Sequence, residues 1–409
     1  MKIFVIISYL LSTAFSIFKK RLSDSYVDKA LPENIRDVYD EDEYNRWKAY
    51  RKEGQNLSRI EKIVMCILFL CFLVFNLHSK VFYAIDANDY VRYLFALTVI
   101  SLISDIISLP FDYYDTFVIE EKYGLNTSTK KTFFIDAIKE FIIGMVLSYG
   151  LLLLIMLLYN RFGNFGIIWI CLAIVAISLL ISAFAMKFLS IFNKFTPLED
   201  GELKTKLLDL CGKYGIKVKK IVVKDASRRT TTANAFCTGL GNTKTISLDD
   251  NLINDYTTDQ IVAVFAHEFA HAKFKHIFKS LPFGILRTVL TIAALGILFN
   301  VASLYTDFGF TELNYMMAVQ CLSYFIWPFS TLLDLVSNKI SRDHEYQADA
   351  FAAEEGYGED LISCLKKLCK ESLSNINPHP WIVKLEYSHP TLSQRIEAIR
   401  QVAGKCDTV

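Results

Sequence analysis

The chain lacks a charge imbalance. Its 409 residues carry 44 Lys and Arg against 43 Asp and Glu, a formal net charge of +1. No basic excess points to nucleic acid. It also lacks cysteines paired for metal binding. There are nine Cys, an odd number, with no C-x-x-C pair. Cys66, Cys71, Cys171 and Cys321 lie in apolar runs, which reads as free thiols in a membrane or cytosolic setting. No small-residue cleavage site is evident after the apolar stretch 3–18, and its basic group, Lys19-Lys20-Arg21, comes after it. A retained first membrane helix is therefore expected, not a signal peptide. Histidine is scarce, seven in the chain, yet His267, His271 and His276 fall within ten residues.

What is abundant is apolar surface: 53% of residues, with a mean hydropathy of +0.30. Such values exclude an ordinary soluble enzyme and point to a membrane protein. The length allows two or more domains. Apolar runs occur at 3–18 and at about 62–78, 91–110, 140–160, 166–186, 281–303 and 316–336, each near the twenty residues that cross a bilayer. Seven spans are expected. Residues 22–59 between the first two runs are polar, with little apolar periodicity. Lys and Arg crowd the segment after the first span, the loop after the third (Lys122, Lys130, Lys131), the segment after the fifth and the tail. The opposite loops hold little beyond Lys80 and Arg161. The positive-inside rule then puts the N-terminus outside and the polar segments in the cytosol.

Between the fifth and sixth runs the pattern turns α+β. Residues 201–214 read as a helix and 218–224 alternate like a strand. Residues 233–238 and 244–248 read as two strands round Gly239-Leu-Gly241-Asn242, a hairpin whose edge is either structural or a platform for an extended peptide. Directly after it comes Asp259-Gln-Ile-Val-Ala-Val-Phe-Ala-His267-Glu268-Phe-Ala-His271, which Thr257 or Thr258 can cap. Residues four apart share a helix face, so His267 and His271 can reach one metal ion, with Glu268 placed to take a proton from water beside it. His276, nine positions on, falls about 180° round a straight helix and is read as a packing or hydrogen-bonding neighbour.

A catalytic zinc needs a third ligand. Glu345, in Ser341-Arg-Asp-His344-Glu345-Tyr-Gln-Ala-Asp349, is the best candidate, with Asp349 on the same helix face to accept an imidazole N–H. His344 is the rival ligand. The tail holds His389-Pro-Thr-Leu-Ser-Gln-Arg395, then ends Cys406-Asp407-Thr408-Val409. Asp407 and Thr408 are not aliphatic, so no prenylation box of its own is expected.

These residues resemble the integral-membrane CAAX prenyl proteases, zinc endopeptidases that process prenylated proteins. The likeness runs through Thr116-Phe-Val-Ile-Glu-Glu-Lys-Tyr-Gly-Leu-Asn126, Phe192-Asn-Lys-Phe-Thr-Pro-Leu-Glu-Asp-Gly-Glu202 and Asp225-Ala-Ser-Arg-Arg229. It continues through Asn234-Ala235, His267-Glu268-x-x-His271 with His276, Glu345-x-x-x-Asp349 and His389-Pro390. The resemblance implies a mainly α, multi-pass fold. Seven transmembrane helices would surround a water-filled chamber, with a small α+β zincin-like catalytic domain. It implies one Zn2+ on His267, His271 and Glu345, Glu268 as catalytic base and Asp349 behind the ligands. Asn234 would lie on a substrate strand. His389 and Arg395 would help hold substrate or the oxyanion.

The chain departs from the family's pattern at Ala270, often Gly, and at Thr230-Thr231-Thr232, where many members have a histidine. Long insertions of some eukaryotic members are missing, which leans towards a prokaryotic source. The expected division is membrane helices one to five with their loops (1–189), a catalytic α+β segment (190–280), helices six and seven (281–336) and a C-terminal catalytic segment (337–409). Expected partners are the bilayer and a peptide or protein substrate, with a prenylated C-terminal CAAX segment the resemblance's own implication and no nucleic acid. The expected place is the ER membrane in a eukaryote or the plasma membrane in a prokaryote. The alternatives are a quality-control membrane metalloprotease of the HtpX type and, from another class, a transporter or channel with structural zinc.

Overall fold

The structure, a computed structural model, describes residues 1–215, 220–238 and 245–406. The expected strand start at 218–219, the turn 239–242 and the end 407–409 lie outside the described residues. Helices of seven residues or more are labelled here in chain order. The first five are α1 (Lys2–Asp24), α2 (Glu41–Val74), α3 (Asp89–Tyr114), α4 (Lys130–Phe162) and α5 (Gly166–Ala183). Each turns apolar side chains outward: Ile3, Phe4, Ile63, Ile106, Val146 and Leu172 are all exposed, as lipid contact requires.

By length and composition four stretches can cross a membrane: Lys2–Asp24, Asp89–Glu120, Lys130–Ala183 (which holds both α4 and α5) and His276–Phe299. A fifth joins Tyr315–Phe325 to the helix that starts at Trp327, with a bend of 59°. Two expected runs are therefore not straight helices. The run 62–78 is the end of α2, broken where Asn76 takes φ 54 before Leu77–Phe82 resumes the helix. The run 316–336 bends at Ile326 because Pro328, in the first turn of the next helix, has no N–H to continue the ladder. In the other direction, helix α2 begins at Glu41, inside the segment expected to lack periodicity. Asp40 accepts from the Glu43 N–H at 2.8 Å and Glu43 from the Asp40 N–H at 3.1 Å. This reciprocal cap starts the helix without any apolar pattern.

The catalytic half is built on a four-stranded sheet in the order β1 (Phe195–Pro197), β2 (Lys220–Lys224), β4 (Thr245–Asp249), β3 (Ala235–Thr238). β2 and β4 run parallel, and β1 and β3 pair antiparallel on the two sides. β4 is buried along its whole length. α6 (Glu202–Lys213) packs on α7 (Thr258–Lys273), which itself packs against the sheet at β3. The chain then runs through α8 (His276–Phe299), α9 (Tyr315–Phe325), α10 (Trp327–Ala352), α11 (Gly358–Glu371), α12 (Pro380–Glu386) and α13 (Leu392–Cys406). The apolar part of α10 ends near Val336; beyond it come Lys339, Arg342, Asp343 and Glu345.

Two hydrophobic cores result. One, around Leu73, Tyr93, Ile155, Phe299 and Tyr324, lies among the membrane helices. The other surrounds α7 and takes Phe265, Phe269, Leu248, Phe351 and Ile399, together with Ile35, Tyr39, Trp47 and Ile119 from the N-terminal half. Tyr39 donates its hydroxyl to the carbonyls of Cys369 (2.7 Å) and Ser374 (3.0 Å). Arg229 grips Asp136 of α4 at 2.8 and 2.9 Å and the Phe192 carbonyl at 2.6 Å. This second core is thus assembled on loops of the N-terminal helical half.

Candidate metal centre and active site

Helix α7 starts from a reciprocal cap: Thr257 Oγ1 accepts from the Gln260 N–H and Gln260 Oε1 from the Thr257 N–H. Its apolar side chains Ile261 to Phe265, and Phe269, are fully or nearly buried, so the helix is held in place with His267 and His271 turned towards α10. The two Nε2 atoms stand 3.2 Å apart. Glu345 reaches in from α10, with Oε2 at 3.3 Å from His267 Nε2 and Oε1 at 3.4 Å from His271 Nε2. Among the described residues this is the group whose ligand atoms all lie within 4.8 Å of one another.

A metal ion fits here. Ligands held about 2.0–2.2 Å from a tetrahedral ion sit roughly 3.3–3.6 Å from each other, close to the observed separations. Glu345 Oε2 is buried with no hydrogen-bond donor, an orphan that a cation would satisfy. Three protein ligands leave the fourth position open, as in a catalytic site and unlike a structural one.

Behind the ligands the two imidazoles are held differently. His267 donates from Nδ1 to Asp349 Oδ1 at 2.9 Å. Asp349, with no exposed surface, also accepts from Arg395 Nη2 (2.6 Å) and Nε (2.8 Å). His271 Nδ1 faces His276 Nδ1 at 2.9 Å. The rival ligand His344 is turned away from the ligand group and stacks flat on His276, ring centroids 4.1 Å apart.

A cavity of about 140 Å³ opens on this centre, with Asn234, His267, Glu268, Glu345, His389 and Arg395 in its wall. Asn234 stands at the start of the edge strand β3, where its carbonyl accepts from the Asp249 N–H at 3.0 Å. His389 brings Nε2 to 3.5 Å from Glu345 Oε1 and holds Nδ1 2.9 Å from Ser388 Oγ; its side chain keeps 60% of its surface exposed. Asn234, His267, Glu268, Glu345, His389 and Arg395 therefore border the cavity, His271 and Asp349 touch His267 behind it, and His276 and His344 stand further back. Sequence reasoning missed Leu361, Leu365 and Leu368 of α11, which supply the cavity's apolar wall. Their spacing, three and four apart on one helix face, was the available signal.

The charges are set by surroundings. Burial works to raise the Asp349 carboxyl, but the Arg395 guanidinium, with help from His267, holds it well below the usual range. Burial opposes the charge on His267 too, and the Asp349 and Glu345 carboxylates beside it outweigh burial, raising the ring to about 9. Burial and the neighbouring His267 charge push His271 down to about 3. The Glu268 carboxyl is raised by burial. An environment that raises a carboxyl's pKa moves it towards neutral operation as a base.

The sequence matches two family models. Residues 24–194 match the CAAX prenyl protease N-terminal region, described as five membrane helices, and residues 197–403 match peptidase family M48. The chain is 31% identical over 405 residues to CAAX prenyl protease 1 of Saccharomyces cerevisiae, covering 92% of this chain and 89% of the relative. It is 30% identical over 414 residues to a CAAX prenyl protease 1 homolog of Oryza sativa subsp. japonica, covering 98% and 97%. With such end-to-end coverage, the missing insertions do not separate the chain from yeast and plant relatives, and the leaning towards a prokaryotic source loses its ground. The crystal structure of S. mikatae Ste24p superposes with a TM-score of 0.90 and 28% identity, over 97% of this chain and 98% of that one.

Proposed function

The chain belongs to the M48 peptidases of the CAAX prenyl protease type, and from that premise we propose that it cleaves the C-terminal segment of prenylated proteins with a zinc ion held by His267, His271 and Glu345. It is a multi-pass membrane metalloendopeptidase. The observation that carries the zinc reading is the convergence of two Nε2 atoms and the orphan Glu345 oxygen within tetrahedral spacing.

A bound zinc ion lowers the pKa of water from nearly 16 to about 7 and polarises the scissile carbonyl. Glu268 takes the proton of the attacking water and passes it to the leaving amine. Asn234 and the edge strand β3 receive the peptide by strand addition. His389, at the cavity mouth, donates to the developing oxyanion. Arg395 acts through Asp349, whose carboxylate keeps the His267 ring in the tautomer a ligand needs.

The same reading places seven spans round a chamber, the N-terminus outside and the catalytic half in the cytosol, in the ER or plasma membrane. The loop charges support that orientation. Cavities between the membrane helices, of about 520 Å³ against α4, α8 and α9 and about 350 Å³ between α3 and α4, support a chamber.

The test uses the purified chain in detergent with a farnesylated CAAX peptide and its unprenylated twin, wild type beside Glu268→Gln. Cleavage of the prenylated peptide alone, lost in the variant, is expected. Equal cleavage of both peptides overturns the prenyl requirement and favours the quality-control alternative.

A further inference from the structure

We propose that His276 and Gln347 form a positioning relay behind His271, fixing which of its nitrogens carries the proton and how its ring is aimed. The inference rests on reading His271 as a metal ligand.

The argument is one of proton placement. His271 turns Nε2 towards His267 Nε2 (3.2 Å) and Glu345 Oε1 (3.4 Å), so as a neutral ligand it keeps its proton on Nδ1. That N–H points at His276 Nδ1, 2.9 Å away, which must accept. The His276 proton then stands on Nε2, and Nε2 meets Gln347 Oε1 at 3.2 Å. Donor meets acceptor at each step from the ligand to an exposed glutamine on α10. His344 lies parallel to the His276 ring, at an interplanar angle of 4°, and fixes its plane.

The backbone is arranged for this contact. His276 would fall on the far side of a helix continued straight from α7. Instead the chain breaks at Lys275, which holds φ 55 and ψ 41, a left-handed conformation that a non-glycine residue adopts at a cost. The break starts α8 at His276 and folds its ring back onto His271. Strain kept beside a site points to a function for the contacts it makes. The two ligands thus have unlike partners, a carboxylate behind His267 and a neutral imidazole behind His271.

A packing role would need only the volume of His276; a relay needs an acceptor at Nδ1. The test measures zinc affinity of the full chain in detergent by chelator competition. His276→Leu keeps bulk and removes the acceptor, so zinc should bind about 10–100-fold more weakly. His276→Asn puts an amide oxygen near the Nδ1 position and should restore most of that loss. Gln347→Leu, at an exposed position, should weaken zinc in the same direction without threatening the fold. The relay is overturned if His276→Leu holds zinc like wild type, if His276→Asn is as weak as His276→Leu, or if Gln347→Leu changes nothing. Should His276→Leu not fold, Gln347→Leu decides alone. A wild-type chain that binds no zinc overturns the ligand reading itself, a different result from any of these.

Discussion

Asp349 accepts the Nδ1–H of His267 at 2.9 Å from a position with no solvent exposure at all. One carboxylate therefore aims a ligand on one side and neutralises a largely buried arginine on the other. Asp349→Asn should weaken zinc about 10–100-fold, as loss of a partner behind a metal-bound histidine does. It should also lower the melting temperature, because Arg395 is left buried with its charge unpaired, a change that costs about 3–5 kcal/mol. Chelator competition and a thermal melt of the same preparation read the two effects separately. A variant with wild-type zinc affinity would show that Asp349 serves Arg395 alone.

Glu268→Gln should keep its zinc and lose roughly 10²–10⁴-fold in kcat, the usual worth of a positioned acid–base group. Metal content per chain and single-turnover peptide cleavage check the two halves of the statement. Full activity in the variant would remove Glu268 from the proton path.

The Glu268 carboxyl, raised by burial, gives a pH dependence whose sign is fixed. A base works ionised, so kcat/KM should rise with pH through its pKa and fall below it. The acid limb should lie above the ordinary glutamate value of about 4.3. A profile flat down to that value would contradict the raised carboxyl.

Removing the metal should abolish cleavage and also destabilise the chain, since the orphan oxygen of Glu345 then has neither donor nor cation. Phenanthroline treatment should lower the melting temperature, and added zinc should restore both melting temperature and activity. Activity that survives complete chelation would exclude a catalytic metal.

Arg229→Ala should leave zinc affinity in place while loosening the join between the catalytic half and α4. The lost hydrogen bonds to Asp136 and the Phe192 carbonyl are charge-assisted and half-buried, worth about 1–3 kcal/mol. Protease sensitivity of the 192–229 stretch, compared between variant and wild type, reads the change.

How much of this was legible in the sequence follows from how each feature is made. Helix α7 was readable because its determinants are local: a cap at Thr257, an apolar face and two histidines four apart. Glu345 and Asp349 were readable as a pair for the same reason. Their meeting with α7 was expected from the need for a third ligand and from the family resemblance, since periodicity carries no information about which helices touch. Arg395 lies 128 positions from His267, and its grip on Asp349 depends on tertiary packing. The straight-helix geometry that placed His276 opposite His267 failed at Lys275, since a left-handed turn at a lysine has no sequence signature. Helix α2 was missed from the opposite cause: its start is dictated by a polar cap at Asp40 and Glu43, which a search for apolar repeats passes over.

The core around α7 draws on both sides of the chain, from Tyr39 and Trp47 to Ile399, and this bears on synthesis. A ribosome delivers the His267 helix well before Arg395 and His389, so the growing protein carries its metal motif through the membrane-insertion machinery without a finished site. Helix α13 docks against a loop made hundreds of residues earlier, where Ser393 meets Asn34 at 2.8 and 2.9 Å. A fragment cut at the boundary between the two family matches, keeping only residues 197–403, would lack that seat.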